Sequence, residues 1–393
     1  MSTVRFLTSG ESHGRGLSGI IEGIPSGLAL SSADIDKDLR RRQGGYGRGG
    51  RMKIETDHAE ILSGVRWGKT IGSPVSLFIE NRDWKNWSEG MSPEAGAESS
   101  IAAVTRPRPG HADLAGSLKY GHHDVRNVLE RSSARETAMR VALGAVARKF
   151  LAEFGIGIGS YVVQIGTRKA GIEGHRLRDS DLLGLFRKAE ESPVRCPDAE
   201  DSKKMMRLID RAVKEGDSLG GAFEVFVTGL PVGLGSHIQW DAKLDGRLAQ
   251  ALLSIQAIKG VEIGAGFGMA GKSGSELMDE IVYSSSRGFY RKTNNAGGIE
   301  GGMSNGMPVV LRAVMKPIPT LRKPLMSVDL ETKKPFRAAY ERSDVCAVPA
   351  AAVVAESMTA LITANAFLEK FGGDSLDETM TNVRAYTASL KRF

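Results

Sequence analysis

The sequence predicts an α+β protein assembled from two similar halves, and three observations carry that prediction. Residues 10–28 align without gaps on residues 216–234, and Gly10, Ser12, Gly14, Gly23, Pro25, Gly27 and Leu28 each meet an identical residue. Two echoes follow in the same order, Gly72-Ser-Pro-Val-Ser-Leu77 with Gly306-Met-Pro-Val-Val-Leu311 and Glu130-Arg-Ser132 with Glu341-Arg-Ser343. Each half also reads as strand, strand, helix, strand and long helix. Recurring turn chemistry can repeat a glycine or a proline, but three collinear matches point to an internal duplication. A single domain over 1–393 is expected, with halves of approximately 1–195 and 205–393 joined near 190–205 and related by a pseudo-two-fold axis.

The elements follow from local pattern. Apolar runs at 19–21, 74–79, 223–227 and 308–314 read as strands. Residues 32–42 and 241–258 have helical spacing. Ser133-Ala-Arg-Glu136 is a capping box that opens a long helix to about Phe154. Pro349 starts the matching helix of the second half, which stops before Gly372-Gly373. The stretch 348–368 is the most apolar of the chain, but Glu356, Ser357, Thr359 and Asn365 make it a buried helix rather than a membrane span. Segments 81–110 and 284–306 lack periodicity and read as long functional loops.

Composition narrows the function. The 393 residues are 41% hydrophobic and 25% charged, with 53 Lys and Arg against 46 Asp and Glu, so the net charge is +7. That modest excess suits an anionic small molecule. Aromatics at 6% leave little material for base stacking, which counts against nucleic acid. Cys196 and Cys346 stand far apart, arguing against a disulfide framework or a cysteine zinc site and for a reducing cytoplasm. The first residues carry no apolar core of signal-peptide length.

Several motifs have both a chemical and a bland reading. Gly266-Phe-Gly-Met-Ala-Gly-Lys-Ser273 fits the Walker A letters, but only Val261-Glu-Ile263 precedes it as a strand, so it is read as a decoy. The run from Arg40 to Arg51 is either a solvated basic helix end or a glycine loop whose guanidinium forks grip a polyanion. His13 and His111 sit in glycine-bounded turns, as structural histidines or as acid–base groups; no third ligand at suitable spacing supports a metal. Arg131-Ser-Ser133 is placed on a helix N-terminus, where an anion is favoured, and Arg342-Ser-Asp344 is its repeat partner. Lys316-Pro-Ile-Pro-Thr320 offers Lys316 and Thr320 to a phosphate, or ends an edge strand.

Together these segments resemble the chorismate synthase family over almost the whole chain. The resemblance rests on Gly10-Glu-Ser-His-Gly14, Arg106-Pro-Arg-Pro-Gly-His-Ala-Asp113, Glu130-Arg-Ser-Ser-Ala-Arg-Glu-Thr-Ala138 and Ile255-Gln-Ala-Ile-Lys-Gly-Val-Glu262. Asn295-Ala-Gly-Gly-Ile-Glu-Gly-Gly302, Met315-Lys-Pro-Ile-Pro-Thr320 and Arg342-Ser-Asp-Val-Cys-Ala-Val-Pro349 complete it. It implies a β-α-β sandwich whose two halves form one catalytic unit, a cytoplasmic homotetramer, and no nucleic-acid or membrane partner. The implied reaction is a lyase step of aromatic amino-acid biosynthesis on the shikimate pathway. In it 5-enolpyruvylshikimate 3-phosphate becomes chorismate and phosphate by 1,4-elimination, with reduced FMN and no net redox change.

Carried over by position, His13 would protonate the leaving phosphate and His111 would protonate or stabilise the reduced flavin. Asp344 would be the base, relaying through flavin N5. The implied FMN contacts are Arg131, Ser132, Ser133, Gln256, Ala257, Gly301, Lys316, Pro317, Ile318, Pro319, Thr320 and Arg342. Arg42 and Arg48 would hold substrate anions or NADPH, the candidate reductant. No metal is implied.

Overall fold

A computed structural model describes residues 4–49, 56–323, 325–338 and 343–393. In the first half, β1 (Arg5–Ser9), β2 (Gly16–Glu22), β3 (Glu60–Ser63) and β4 (Val75–Glu80) form an antiparallel sheet of order β1-β2-β4-β3. The second sheet takes β5 (Gly157–Ile165), β6 (Gly221–Thr228), β7 (Ile258–Ile263) and β8 (Val309–Met315) in the order β5-β6-β8-β7, with the two-residue strand Arg168–Lys169 added at the edge beside β5. These four strands follow the succession of the first sheet, and both sheets are antiparallel. The fold class is therefore α+β, as the sequence predicts.

In the shared succession β5, which begins at Gly157, stands where β1 stands. Residues 190–205, the expected junction, fall between β5 and β6, in the segment that carries α5 (Asp179–Glu191) and α6 (Ala199–Glu215).

The core lies between the sheets. There α1 (Ser32–Gln43) and α4 (Thr137–Ala152) pack with α7 (Leu244–Leu253) and α8 (Val348–Phe371). Leu17, Ile21, Val75, Leu77 and Ile79 from one sheet and Phe223, Val225 and Val227 from the other are buried against these helices. The two long helices come close at Gly144, where an added Cβ would stand 2.4 Å from Ser357 Cβ. Further along, Phe150 meets Phe367 edge-on with ring centroids 5.9 Å apart. Both contacts advance in the same sense, so α4 and α8 run parallel and start at the same end. Although α8 is long and apolar enough to cross a bilayer, 89% of its apolar window is buried in the protein.

Local differences have local causes. Ser133 does cap a helix, its Oγ accepting from Arg135 N, but the first turn, Ala134–Glu136, is 3₁₀. The Glu136 carboxylate is drawn instead to Thr8 Oγ1 and Arg140 Nε, so no capping box closes there. A capping box does form at the head of α1, between Ser31 and Asp34. The helix expected over 241–258 is shorter, because the chain turns at Ser254 to enter β7. The segment 284–306 is not all loop: Gly288–Arg291 pairs with Ile281–Ser284 as a hairpin. The Walker-like segment is a 3₁₀ turn ending in a one-turn helix, Gly274–Leu277, after an edge strand. It lacks the geometry of a phosphate loop.

Candidate active site

The turn between β1 and β2 is held against α3 (Arg126–Ser132). Ser12 N donates to Glu130 O, and Leu219 N donates to Val345 O. Buried Glu130 then grips His13 twice. His13 N donates to Oε2 at 2.7 Å, and the ring Nδ1 lies 2.7 Å from Oε1. The imidazole packs on Trp87 with ring centroids 4.3 Å apart. Ser12 Oγ reaches Ser133 Oγ at 3.0 Å, while Ser132 Oγ donates back to Val128 O. Arg131 Nη2 donates to Thr8 O and Oγ1 at 2.8 Å each. Arg131 and Ser132 therefore end α3 rather than begin a helix; only Ser133 stands at a helix start.

His111 has a carboxylate of its own. Its Nδ1 is 2.5 Å from Asp113 Oδ1, at the head of α2 (Asp113–Tyr120). Arg108 clamps the same carboxylate through its backbone N, Nε and Nη2. Burial by itself raises the pKa of Asp113. Hydrogen bonds from His111 and Arg108, with the Arg108 charge, outweigh it and hold the carboxyl well below the usual range. Arg108 Nη1 also donates to Thr320 Oγ1 at 3.1 Å, and Thr320 O accepts from Ser343 Oγ at 3.3 Å. Lys316 Nζ donates to Gly110 O, beside His111, at 2.5 Å. Burial and the neighbouring Lys259 draw the Lys316 ammonium below the ordinary lysine range.

Arg48 Nη1 pairs with Asp344 Oδ2 at 2.7 Å, and Gly49 N donates to Asp344 Oδ1 at 2.6 Å. Arg42 is 4% exposed; its Nε donates to Thr137 Oγ1 and its Nη2 to Ala134 O, at the start of α4. Arg135 donates to Asn81 Oδ1 and pairs with buried Asp57, which Arg42 also approaches. Burial draws the Arg42 guanidinium down to about 10 against the pull of Asp57, and the charges of Arg48, Arg135 and Asp344 all act on it. The starts of α4 and α8 thus share one cationic end, where two helix dipoles add their own positive potential.

A family model described as chorismate synthase matches residues 4–368. The chain belongs to the chorismate synthase family. It is 60% identical over 400 residues to a chorismate synthase of Geobacter metallireducens, covering 99% of this chain and 100% of that one. With the protein of the same name from Aquifex aeolicus it shares 56% identity over 397 residues, covering 99% of each. A solved structure titled as the crystal structure of chorismate synthase superposes with a TM-score of 0.81 at 47% identity, covering 99% of each chain. As a member of the chorismate synthase family the chain is an enzyme, a lyase of aromatic biosynthesis.

Most of the positions that the chorismate synthase resemblance singles out lie along one network. Gln256 Nε2 donates to Glu136 Oε2 at 3.3 Å, and its Oε1 is buried with no partner. Ala257 adopts a left-handed φ of 66° and its carbonyl accepts from Lys316 N. Ile318 O accepts from Ser218 Oγ, and Pro319 packs beside Gly110. Gly301 is set apart, in a turn next to His237 and near the opposite end of α7 from Gln256. Arg342 and Arg51 lie outside the described residues. Arg42 ends α1, as the basic helix end read from the sequence, and its side chain is buried. Sequence reasoning assigned no role to Glu130, Asp113, Arg108 or Trp87. All but Trp87 lie inside quoted motifs; for Arg108 and Asp113 the available signal is a cation and an acid close to His111 in the chain, and Glu130 has no such neighbour.

Proposed function

We propose that the chain converts 5-enolpyruvylshikimate 3-phosphate into chorismate and phosphate by 1,4-elimination, with reduced FMN bound and no net redox change. One observation carries this reading. Hydrogen bonds tie two imidazole–carboxylate pairs to the residues that precede α4 and α8, His13 through the neighbouring Ser12 to Ser133, and His111 through Asp113, Arg108 and Thr320 to Ser343, beside the Arg48–Asp344 pair. A substrate with one phosphate and two carboxylates calls for such fixed positive charge. The elimination calls for an acid at the departing phosphate and a base at C6.

In this reading His13 delivers a proton to the leaving phosphate, and Asp344 accepts the C6 proton once Arg48 turns to a substrate anion. His111, steadied by Asp113 and Arg108, supplies a proton-holding group beside the cofactor. The residues present suit FMN. The orphaned Gln256 Oε1 and the strained backbone at Ala257 offer a polar edge. Arg131, Ser133, Lys316 and Thr320 carry side-chain donors suited to a phosphate, and Ser132, Pro317, Ile318, Pro319, Arg342 and Gly301 are added by family position. Reduced flavin, when bound, supplies transient electron density that spares the reaction a high-energy ion. Assembly as a cytoplasmic homotetramer and reduction by NADPH belong to the same proposal.

An anaerobic assay with substrate, FMN and dithionite tests it: chorismate and phosphate appear together and stop when flavin is left oxidised. His13→Ala and His111→Ala each slow turnover about 10²–10⁴-fold, the span of a lost general acid, while keeping FMN affinity. Phosphate release that does not depend on reduced flavin overturns the reading.

A further inference from the structure

We propose that Glu130 is a positioning residue that sets the tautomer of His13 and aims its ring; the proposal rests on the acid role given to His13 above. Glu130 stands 117 residues from His13 in the chain and is 2% exposed. Its two oxygens take two different N–H groups of one residue, the backbone N of His13 at 2.7 Å and the ring Nδ1 at 2.7 Å. Among the described residues, hydrogen bonds to that carboxylate come from His13 alone. An ionised carboxylate only accepts, so the ring proton must sit on Nδ1, and Nε2 becomes the nitrogen through which His13 exchanges a proton.

The clamp also fixes direction. With the backbone and the ring of His13 tied to the two ends of one carboxylate, rotation of the imidazole breaks a hydrogen bond. Trp87 closes one face of the ring, and Trp87 is itself held by Arg126 over its ring at 5.0 Å and by Nε1 donating to Asp83 Oδ2 at 3.2 Å. His111 is treated differently. Asp113 shares its oxygens with three donors of Arg108, so its hold on the ring is divided. The second half keeps the turn but replaces the histidine with Leu219, so this clamp serves the acid of one half only.

The test is the tautomer. In wild-type protein labelled with ¹⁵N-histidine, free of FMN, the His13 resonances report Nδ1–H; they are assigned by their loss in His13→Ala. A glutamine at position 130 has one acceptor and one donor where two acceptors are needed. Because the backbone N–H cannot change, the amide oxygen stays with it and the ring switches to Nε2–H. Glu130→Gln is therefore expected to show the other tautomer, unchanged FMN affinity and a kcat lowered about 10²-fold or more. Glu130→Asp keeps two acceptors on a shorter arm, and is expected to retain Nδ1–H and recover part of the rate. A wild-type ring carrying its proton on Nε2 overturns the proposal without any variant, as does Glu130→Gln with the wild-type tautomer or full turnover. Full activity in His13→Ala would instead remove the acid role, leaving the tautomer result to judge Glu130.

Discussion

Arg48 and Asp344 form a close ion pair, 2.7 Å from Nη1 to Oδ2, and the adjacent Gly49 N–H occupies the other carboxylate oxygen. The proposed base is thus capped by the residue expected to receive the substrate's negative charge. An incoming phosphate or carboxylate competes for the same guanidinium fork, so anion binding and release of the base are one event.

Arg48→Ala should accordingly raise KM for 5-enolpyruvylshikimate 3-phosphate at least about tenfold, the worth of one charged hydrogen bond, with FMN affinity kept. Arg48→Lys should fall between, since it keeps the charge and loses the fork. Calorimetric titration of both ligands decides. Equal losses for the two would place Arg48 on the fold.

Arg42 should behave in the opposite way. Its guanidinium is enclosed by Thr137, Ala134 O and Asp57, and at about 10 it remains protonated near neutrality. Arg42→Ala leaves Asp57 with less compensation and removes two ties to the start of α4. A loss of about 3–5 kcal/mol in urea unfolding is expected, as for other broken buried pairs. A selective effect on substrate KM with unchanged stability would contradict this.

Glu356, in the middle of α8, gathers Arg41, Arg148 and Arg195 and accepts a hydrogen bond from Ser160. Burial pushes its carboxyl up, yet the three guanidinium groups hold it down to about 2. A depressed carboxyl contributes stability that is complete above its unfolded value of ~4.3 and disappears as pH falls through 2. Glu356→Gln should therefore destabilise at pH 7 by about 3–5 kcal/mol and flatten the acid limb of the stability curve below pH 4. Denaturant midpoints measured between pH 2 and 7 check both statements.

Gly144→Ala tests the helix contact that brings the site together. The new methyl would fall 2.4 Å from Ser357 Cβ and 2.8 Å from Ser357 O, inside a crossing with no room to yield. Overpacking of this kind costs about 1–3 kcal/mol, read as a lowered Tm. A second substitution, Ser357→Gly, removes the nearest atom and should recover part of it.

The elements and motifs were legible because their signals are local. Apolar runs marked β2, β4, β6 and β8, Pro349 and Gly372 bracketed α8, and the glycine-bounded turns announced His13 and His111. What tertiary structure decided was partnership. Which acid holds His13, that Arg48 closes on Asp344 and that Arg42 is buried all depend on segments brought together by the core. A carboxylate 117 residues away leaves no periodicity to read, and a guanidinium looks the same in a string of letters whether water or Thr137 surrounds it. Burial and pairing are properties of the packed helices, and only the parallel seating of α4 against α8 set them.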